Sequence, residues 1–415
     1  MKNLIHTLQQ TKQAASIVAK LSAKEKKQIL LALAKELQAN QKSILRANQL
    51  DVVAAKKTGA TEAFIDRLTL TEKGFSGMLA QIETVANLTD VIGENIEQRK
   101  LSNGVIIQKK RFPLGVIAVI YESRPNVTID VVGLCLQSGN TVILKGGSEA
   151  LRTNTRLVQC VHTVLMSFGL PRATVTFLSE VTHAEIGEML QRSDLIDVVI
   201  PRGSYGLTTA VAKQSRIPIL YHAAGGARMY IDKSADLKQA LEICLNAKTN
   251  RTGVCNALDM VLVHSTIVGK ILPAVDKALS EKGFEIRADK AAKKHMKHAL
   301  LAKKEDFETE FLDSILAVKT VDTASEAITF IKEHTNGHTE VLAAQDKEVI
   351  DTFIQEVDAA GIMINCSSRL HDGGEFGMGA EMGTATGKLH ARGPVGVKEL
   401  TTYKWIAYGN GQVKE

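Results

Sequence analysis

The chain reads as an α/β protein of two or three domains built on parallel sheet, and three observations carry that reading. Short apolar runs such as Gly115-Val116-Ile117-Ala118-Val119-Ile120, Val198-Val199-Ile200 and Met260-Val261-Leu262-Val263 lack polar alternation, the mark of strands covered on both faces. Amphipathic segments of helical period separate them, so strand and helix alternate through most of the chain. At 415 residues, 45% hydrophobic and 23% charged, the chain is soluble in composition and too long for a single core.

The N-terminal region is helical. Ile29, Leu30, Leu33, Ala34 and Leu37 recur at helical spacing, and Ser22 followed by Glu25 fits a capping box. A second helical run spans about Ile44 to Ala55 and ends near Gly59. Sheet begins at Gly104 to Phe112, where apolar residues give way to the basic edge Lys109-Lys110-Arg111, and continues with the buried run Gly115 to Ile120. After the turn Glu122 to Asn126 an apolar helix runs to Leu136, then a strand leads into Gly146-Gly147. Strand, helix, strand and glycine turn make an α/β unit of nucleotide-binding type. The pattern repeats with a helix near Asn154 to Phe168, a strand Thr174 to Leu178, a helix Ala184 to Leu190 and a strand Val198 to Ile200 that ends in Pro201-Arg202-Gly203-Ser204.

A second α/β region follows. Met229 to Ile231 and Met260 to Val263 read as strands, with a helix Ala235 to Ala247 between them and another from Ile267 to Lys282. The basic stretch Lys290 to Lys304 is expected to form a solvated helix face. Beyond it come a strand at Ile315 to Val318, a helix at Ala324 to His334, a glycine turn at Gly337, the segment Gly361 to Arg369 and a glycine-rich loop from Gly373 to Gly387. The tail Leu400 to Tyr408 has strand composition, and an uncovered strand there would be a liability.

Composition excludes several classes. A net charge of +6 with dispersed lysines argues against a nucleic-acid partner. The first ten residues lack the apolar core of a signal peptide and no later stretch is apolar for long enough to span a bilayer, so a cytoplasmic protein is expected. Five widely spaced cysteines with no Cys-x-x-Cys pair suggest neither a disulfide framework nor a metal site.

The stretch with the most chemistry is Asn246 to Ala257. Cys255 lies there among small and polar residues, near Lys248 and Arg251, whose charges would favour a nucleophilic thiolate if they reach it. The competing reading is a small apolar filler ahead of a strand. Gly146-Gly147 and Gly203-Ser204 can bring backbone N–H groups to phosphates, although many such turns carry glycine only to change direction.

Several long matches occur in order: Phe64 to Leu68, Gly115 to Ala150 with Tyr121-Glu122-Ser123-Arg124-Pro125-Asn126, Ile200 to Gly203, Asn246 to Ala257, Leu389 to Pro394 and Leu400 to Trp405. On these the whole chain resembles the γ-glutamyl phosphate reductase family, the glutamate-5-semialdehyde dehydrogenases of the aldehyde dehydrogenase superfamily. The resemblance implies two Rossmann-like domains and a small oligomerisation element. Residues 1–225 would bind NADP(H), interrupted by a hairpin at about 100–125; residues 226–365 would carry the nucleophile; residues 366–415 would return and end in an oligomerisation strand. It further implies NADPH-dependent reduction of L-glutamyl 5-phosphate through a cysteine thioester in the second step of proline biosynthesis, functional coupling to glutamate 5-kinase, and a homodimer or dimer of dimers.

The resemblance also distributes roles. Cys255 and Asn126 become catalytic, the latter as an oxyanion donor beside the Cys255 backbone N–H. Lys145, Gly147, Ser148, Gly203, Ser204 and Glu310 become cofactor contacts, with Lys145 on the adenosine ribose, Gly203-Ser204 on the pyrophosphate and Glu310 on the nicotinamide ribose. Arg124, Arg251, Ser367 and Ser368 face the substrate, and no metal is implied.

The chain departs from the family pattern at Arg228, where a histidine is usual, and at Asn250-Arg251-Thr252, where Gln-Arg-Pro is usual. Two alternatives stay open. A hydrolysing aldehyde dehydrogenase needs a carboxylate base where this chain carries Tyr221-His222, and a catalytically silent cofactor-binding protein needs no reactive Cys255.

Overall fold

The computed structural model describes residues 2–122, 124–221 and 224–414, and the chain divides into two units. One comprises Met1–Tyr221, Gly377–Gly383 and Val395–Glu415, the other His222–Phe376 and Thr384–Pro394. Ser123, in the turn expected after the buried strand, and His222, weighed above against a carboxylate base, lie outside the described residues.

In the first unit four parallel strands lie in the order Val175–Phe177, Thr141–Gly146, Val116–Tyr121, Val198–Arg202. Every residue of Val116–Tyr121 is buried because the strand is paired on both edges and covered on both faces. The helix Ala23–Ala39 opens with the expected capping box: Ser22 N–H donates to Glu25 Oε2 at 2.8 Å, and Glu25 N–H donates to Ser22 Oγ at 3.3 Å. Its apolar stripe, Ile29, Leu30, Leu33, Ala34 and Leu37, is buried, each larger side chain contributing roughly 2 kcal/mol relative to exposure. The helix Pro125–Gln137 starts on a proline and is buried nearly all round, as an apolar helix must be.

The same unit holds a three-stranded antiparallel sheet of Asn95–Lys100, Ile106–Pro113 and Thr401–Tyr408. The tail finds its partner in this hairpin, in register from Thr401 opposite Pro113 to Tyr408 opposite Ile106. The outer strand Asn95–Lys100 is polar and wholly exposed, so nothing in its composition announces a strand.

The second unit is built on seven parallel strands, in the order Leu300–Leu301, Glu285–Ala288, Ile315–Val321, Leu258–His264, Ala227–Ile231, Thr339–Ala343, Gly361–Ile364. Alternate residues of Leu258–His264 enter different cores. Val261 and Val263 pack with Cys244, Ala247 and Leu272, whereas Met260 and Leu262 pack with Tyr230, Ile328 and Phe353. Helices Leu237–Thr249 and Val268–Ser280 therefore cover one face, and Ala324–His334 and Lys347–Glu356 the other.

The stretch Lys290 to Lys304 departs from the expected helix face, being helical only over Lys290–Lys293. The buried carboxylate of Asp276 captures the N–H groups of Lys297 and His298 at 2.8 and 3.2 Å, and the Lys293 ammonium donates to Ala299 O at 2.6 Å. These bonds take donors that a longer helix needs, and the chain instead adds Leu300–Leu301 to the sheet edge. Among the described residues no helix is long and apolar enough to cross a membrane, and no group of three or more His, Cys, Asp or Glu could hold a metal.

Candidate active site

Within the second unit, the helix Leu237–Thr249 is capped by Asp236 and runs into the turn that carries Cys255, immediately ahead of Leu258–His264. Cys255 is half-buried. Its carbonyl accepts Gly226 N–H at 2.7 Å, Ala257 O accepts Ala227 N–H at 2.9 Å, and Asn336 Nδ2 donates to Gly225 O at 2.8 Å. The two glycines permit this closeness. A Cβ on Gly225 would lie 2.6 Å from both Cα and O of Cys255 and would overlap Glu310 Oε1. Gly226 has φ +90°, and a Cβ there would meet Asp259 Oδ2 at 2.7 Å. The Cys255 turn and Glu310 thus close on one another around a residue with no side chain. Burial pushes the Glu310 carboxyl up, opposed by the Gly225 N–H bonded to it and by the charge of Arg228. Just beyond, Leu312 holds φ +50°, a left-handed turn that costs an L-residue about 1 kcal/mol or more.

Of the two cations near Cys255 in sequence, Lys248 is turned away into the interior. Lys248 is fully buried and pairs with Asp259 Oδ1 at 3.2 Å, so its charge is spent in the wall behind the turn, while Arg251 is exposed. Arg228 is buried as well, its Nη1 3.5 Å from Oε1 of the fully buried Glu340, whose carboxyl burial pushes up to about 7. It serves as internal counterion to a carboxylate, and its charge is also felt at Glu310.

The residue that sequence reading missed is Arg369. Asn365, at φ +52° and tied to Ala344 by two hydrogen bonds of 3.0 and 2.8 Å, turns the chain sharply after Gly361–Ile364. The short 3-10 turn Ser368–Leu370 then brings Arg369 against Asn256, the residue that follows Cys255. Arg369 Nη1 donates to Asn256 Oδ1, and Nε donates to Asn250 Oδ1 at 3.2 Å. The charges of Cys255 and Arg369 interact, and the charge of Arg251 is also felt there. A strand ending in Asn, small polar residues and Arg was the available signal. Ser367, expected to face substrate, accepts Arg369 N–H at 3.3 Å; Ser368 is fully buried and donates to Asn256 O at 2.6 Å, so its hydroxyl holds the Cys255 turn.

Within the first unit, the expected cofactor residues gather at two strand ends. Lys145, half-buried, donates from Nζ to Gly146 O at 2.7 Å, and burial lowers its pKa. Gly147 and Ser148 open the 3-10 turn Ser148–Ala150, and a Cβ on Gly147 would overlap the Glu149 carboxylate. At the other end, Ser204 caps the helix Tyr205–Gln214. Its N–H and hydroxyl donate to the two oxygens of Glu122 at 2.8 and 3.0 Å, and a Cβ on Gly203 would lie 2.6 Å from Glu122 Oε2. The turn already binds an anionic oxygen, which is the chemistry a pyrophosphate contact requires. Arg124 stands at the N-cap of Pro125–Gln137, and Asn126 Nδ2 donates to Asp130 Oδ2 at 2.9 Å. Burial pushes the Asp130 carboxyl up to about 7.

Two parallel-sheet units, one with a glycine turn that donates to the Glu122 carboxylate and one with a cysteine seated against a glycine and a glutamate, have the architecture of the aldehyde dehydrogenase class. Residues 2–293 match the model of the Aldehyde dehydrogenase family. A gamma-glutamyl phosphate reductase of Carboxydothermus hydrogenoformans is 42% identical over 414 residues, covering 100% of each chain. The crystal structure of gamma-glutamyl phosphate reductase from Thermotoga maritima superimposes with a TM-score of 0.96 at 38% identity, covering 99% of this chain and 100% of that one. An acetylating aldehyde dehydrogenase from Geobacillus thermoglucosidasius shares the fold at a TM-score of 0.69 and 18% identity, covering 100% and 98%. The chain belongs to the aldehyde dehydrogenase family and, within it, to the gamma-glutamyl phosphate reductases.

Proposed function

We propose that the protein reduces L-glutamyl 5-phosphate to L-glutamate 5-semialdehyde and inorganic phosphate with NADPH, the second step of proline biosynthesis, through a thioester on Cys255. The observation that carries the substrate is identity over the full chain with relatives of that name. The placement of Cys255 supports the thioester. Its sulfur attacks the acyl carbon, the S–C bond forms as the bond from carbon to the phosphate oxygen breaks, and phosphate leaves with that electron pair. Bound NADPH supplies the hydride that reduces the thioester carbonyl. Collapse of the tetrahedral carbon then breaks the C–S bond, releases the aldehyde and restores the thiolate.

In this reading Asn126 and the Cys255 backbone N–H meet the oxyanion. Lys145, Gly147 and Ser148 hold the adenosine end of the cofactor, Gly203 and Ser204 the pyrophosphate in place of Glu122, and Glu310 the nicotinamide ribose. Arg124, Arg251, Ser367 and Ser368 serve the substrate, Ser368 through its bond to Asn256 O. The enzyme works in the cytoplasm as a homodimer or dimer of dimers, functionally coupled to glutamate 5-kinase, whose product it consumes.

The test is oxidation of L-glutamate 5-semialdehyde with NADP+ or NAD+, with and without inorganic phosphate. Phosphate-dependent NADPH formation, faster than NADH formation, is expected. Oxidation to glutamate without phosphate would overturn the reading in favour of a hydrolysing dehydrogenase.

A further inference from the structure

Several partly buried arginines pair with a carboxylate, whereas Arg369, like Arg156, bonds only neutral oxygens. Arg111, Arg228, Arg287 and Arg392 each reach a carboxylate. Arg369 is half-buried, yet its two hydrogen bonds go to neutral amide oxygens of Asn250 and Asn256, and among the described residues no carboxylate lies within ion-pair distance of it. Nη2 makes no hydrogen bond among the described residues. A guanidinium taken partly out of water without a counterion is costly, and it recovers that cost when an anion binds. The anion has to fit a site bordered by the nucleophile, because Asn256 follows Cys255 directly.

We propose that Arg369 is the phosphate-binding residue of the nucleophile turn, its guanidinium pairing with the phosphoryl oxygens of the acyl phosphate and carrying their charge as phosphate departs. This rests on the function proposed above. The phosphoryl group is joined through one oxygen to the carbon that Cys255 attacks, so a cation beside the sulfur is beside the leaving group. The distant amino-acid end of the substrate is several bonds away. A planar fork with N–H donors matches phosphate better than a point charge. The groups facing this spot are Arg251 on the nucleophile turn, Asp372 and Glu375 beyond Arg369, and Glu310 across Gly225.

The first arm uses the unaltered protein and no substrate. Inorganic phosphate should slow iodoacetamide alkylation of Cys255, whereas chloride at equal ionic strength should not; equal rates would overturn the proposal. In the second arm, Arg369→Gln should raise the KM for phosphate in semialdehyde oxidation about tenfold or more and move the alkylation midpoint up by about one pH unit, with Arg369→Lys recovering part of each. Unchanged phosphate KM and midpoint in Arg369→Gln would also overturn it. If phosphate protects Cys255 yet does not stimulate oxidation, the anion site stands and the assigned reaction falls.

Discussion

Lys248 and Asp259 face each other across 3.2 Å in the wall behind Cys255, the ammonium fully buried and the carboxylate nearly so. The same carboxylate accepts Phe311 N–H, next to Glu310, and its Oδ2 closes on Gly226. One ion pair therefore ties the helix leading to Cys255, the glycine turn beside it and the segment carrying Glu310. Asp259→Asn leaves a buried ammonium without its carboxylate and should lower stability by about 3–5 kcal/mol, read from urea unfolding. The double change Lys248→Met, Asp259→Leu should recover most of that stability but not cofactor kinetics, because Phe311 N–H still lacks its acceptor.

Cys255→Ser should reduce turnover on the order of a thousandfold or more, with circular dichroism and NADPH affinity close to the parent. A serine hydroxyl at this half-buried position lacks the low pKa that lets a thiolate attack without a base. Turnover near the parent value removes Cys255 from the mechanism.

The two cofactor ends should respond differently. Lys145→Ala is expected to raise the KM for NADPH, and Glu310→Gln to slow hydride transfer, both with little change in thiol alkylation. Gly225→Ala should do more than either. Its methyl group has to push Cys255 Cα and the Glu310 carboxylate apart, and a shift near 1 Å costs about a hundredfold in rate. Gly225→Ala kinetics equal to the parent would contradict the seating described here.

Stability should depend on pH through Glu340. Burial pushes its folded-state carboxyl from the ordinary 4.5 up to about 7. Between those values the folded chain keeps a proton that the unfolded chain has released, so stability falls as pH rises through that window. Unfolding midpoints at pH 5 and pH 8 should show the parent losing of the order of 3 kcal/mol more than Glu340→Gln over the same interval. Equal losses in the two proteins count against a raised Glu340.

Assembly should depend on the tail. Thr401–Tyr408 forms an outer strand of its sheet, with Tyr403 and Trp405 each about half exposed and Lys109 stacked 3.8 Å from the Tyr403 ring centre. Sedimentation at micromolar concentration is expected to show a dimer or tetramer, and removal of Leu400 onward to give inactive monomers. Because Leu400 O also accepts Asn140 Nδ2, Trp405→Glu is the cleaner test of the outer face and should weaken association while preserving the monomer fold. A full-length monomer sinks the prediction.

Local chemistry made much of this protein legible in its sequence. The Ser22 capping box, the unbroken run Val116–Tyr121 and the helix Ala324–His334 each depend on neighbours a few residues away, and the structure has them where patterning puts them. Cys255 stood out for the same reason. Its true electrostatic setting did not. Lys248 lies near Cys255 in sequence, but a helix turns about 100° per residue, and packing aims this side chain at Asp259. Arg369 enters from a strand end more than a hundred residues later, through a left-handed Asn365 whose bonds to Ala344 exist only once two strands have paired. The polar strand Asn95–Lys100 and the interrupted helix after Lys293 were hidden likewise. The strand takes its partners from the next arm of its own hairpin, Ile106–Pro113, and the segment after Lys293 gives its donors to the buried carboxylate of Asp276; in both cases it is a partner outside the segment, and not the segment's own composition, that sets the conformation.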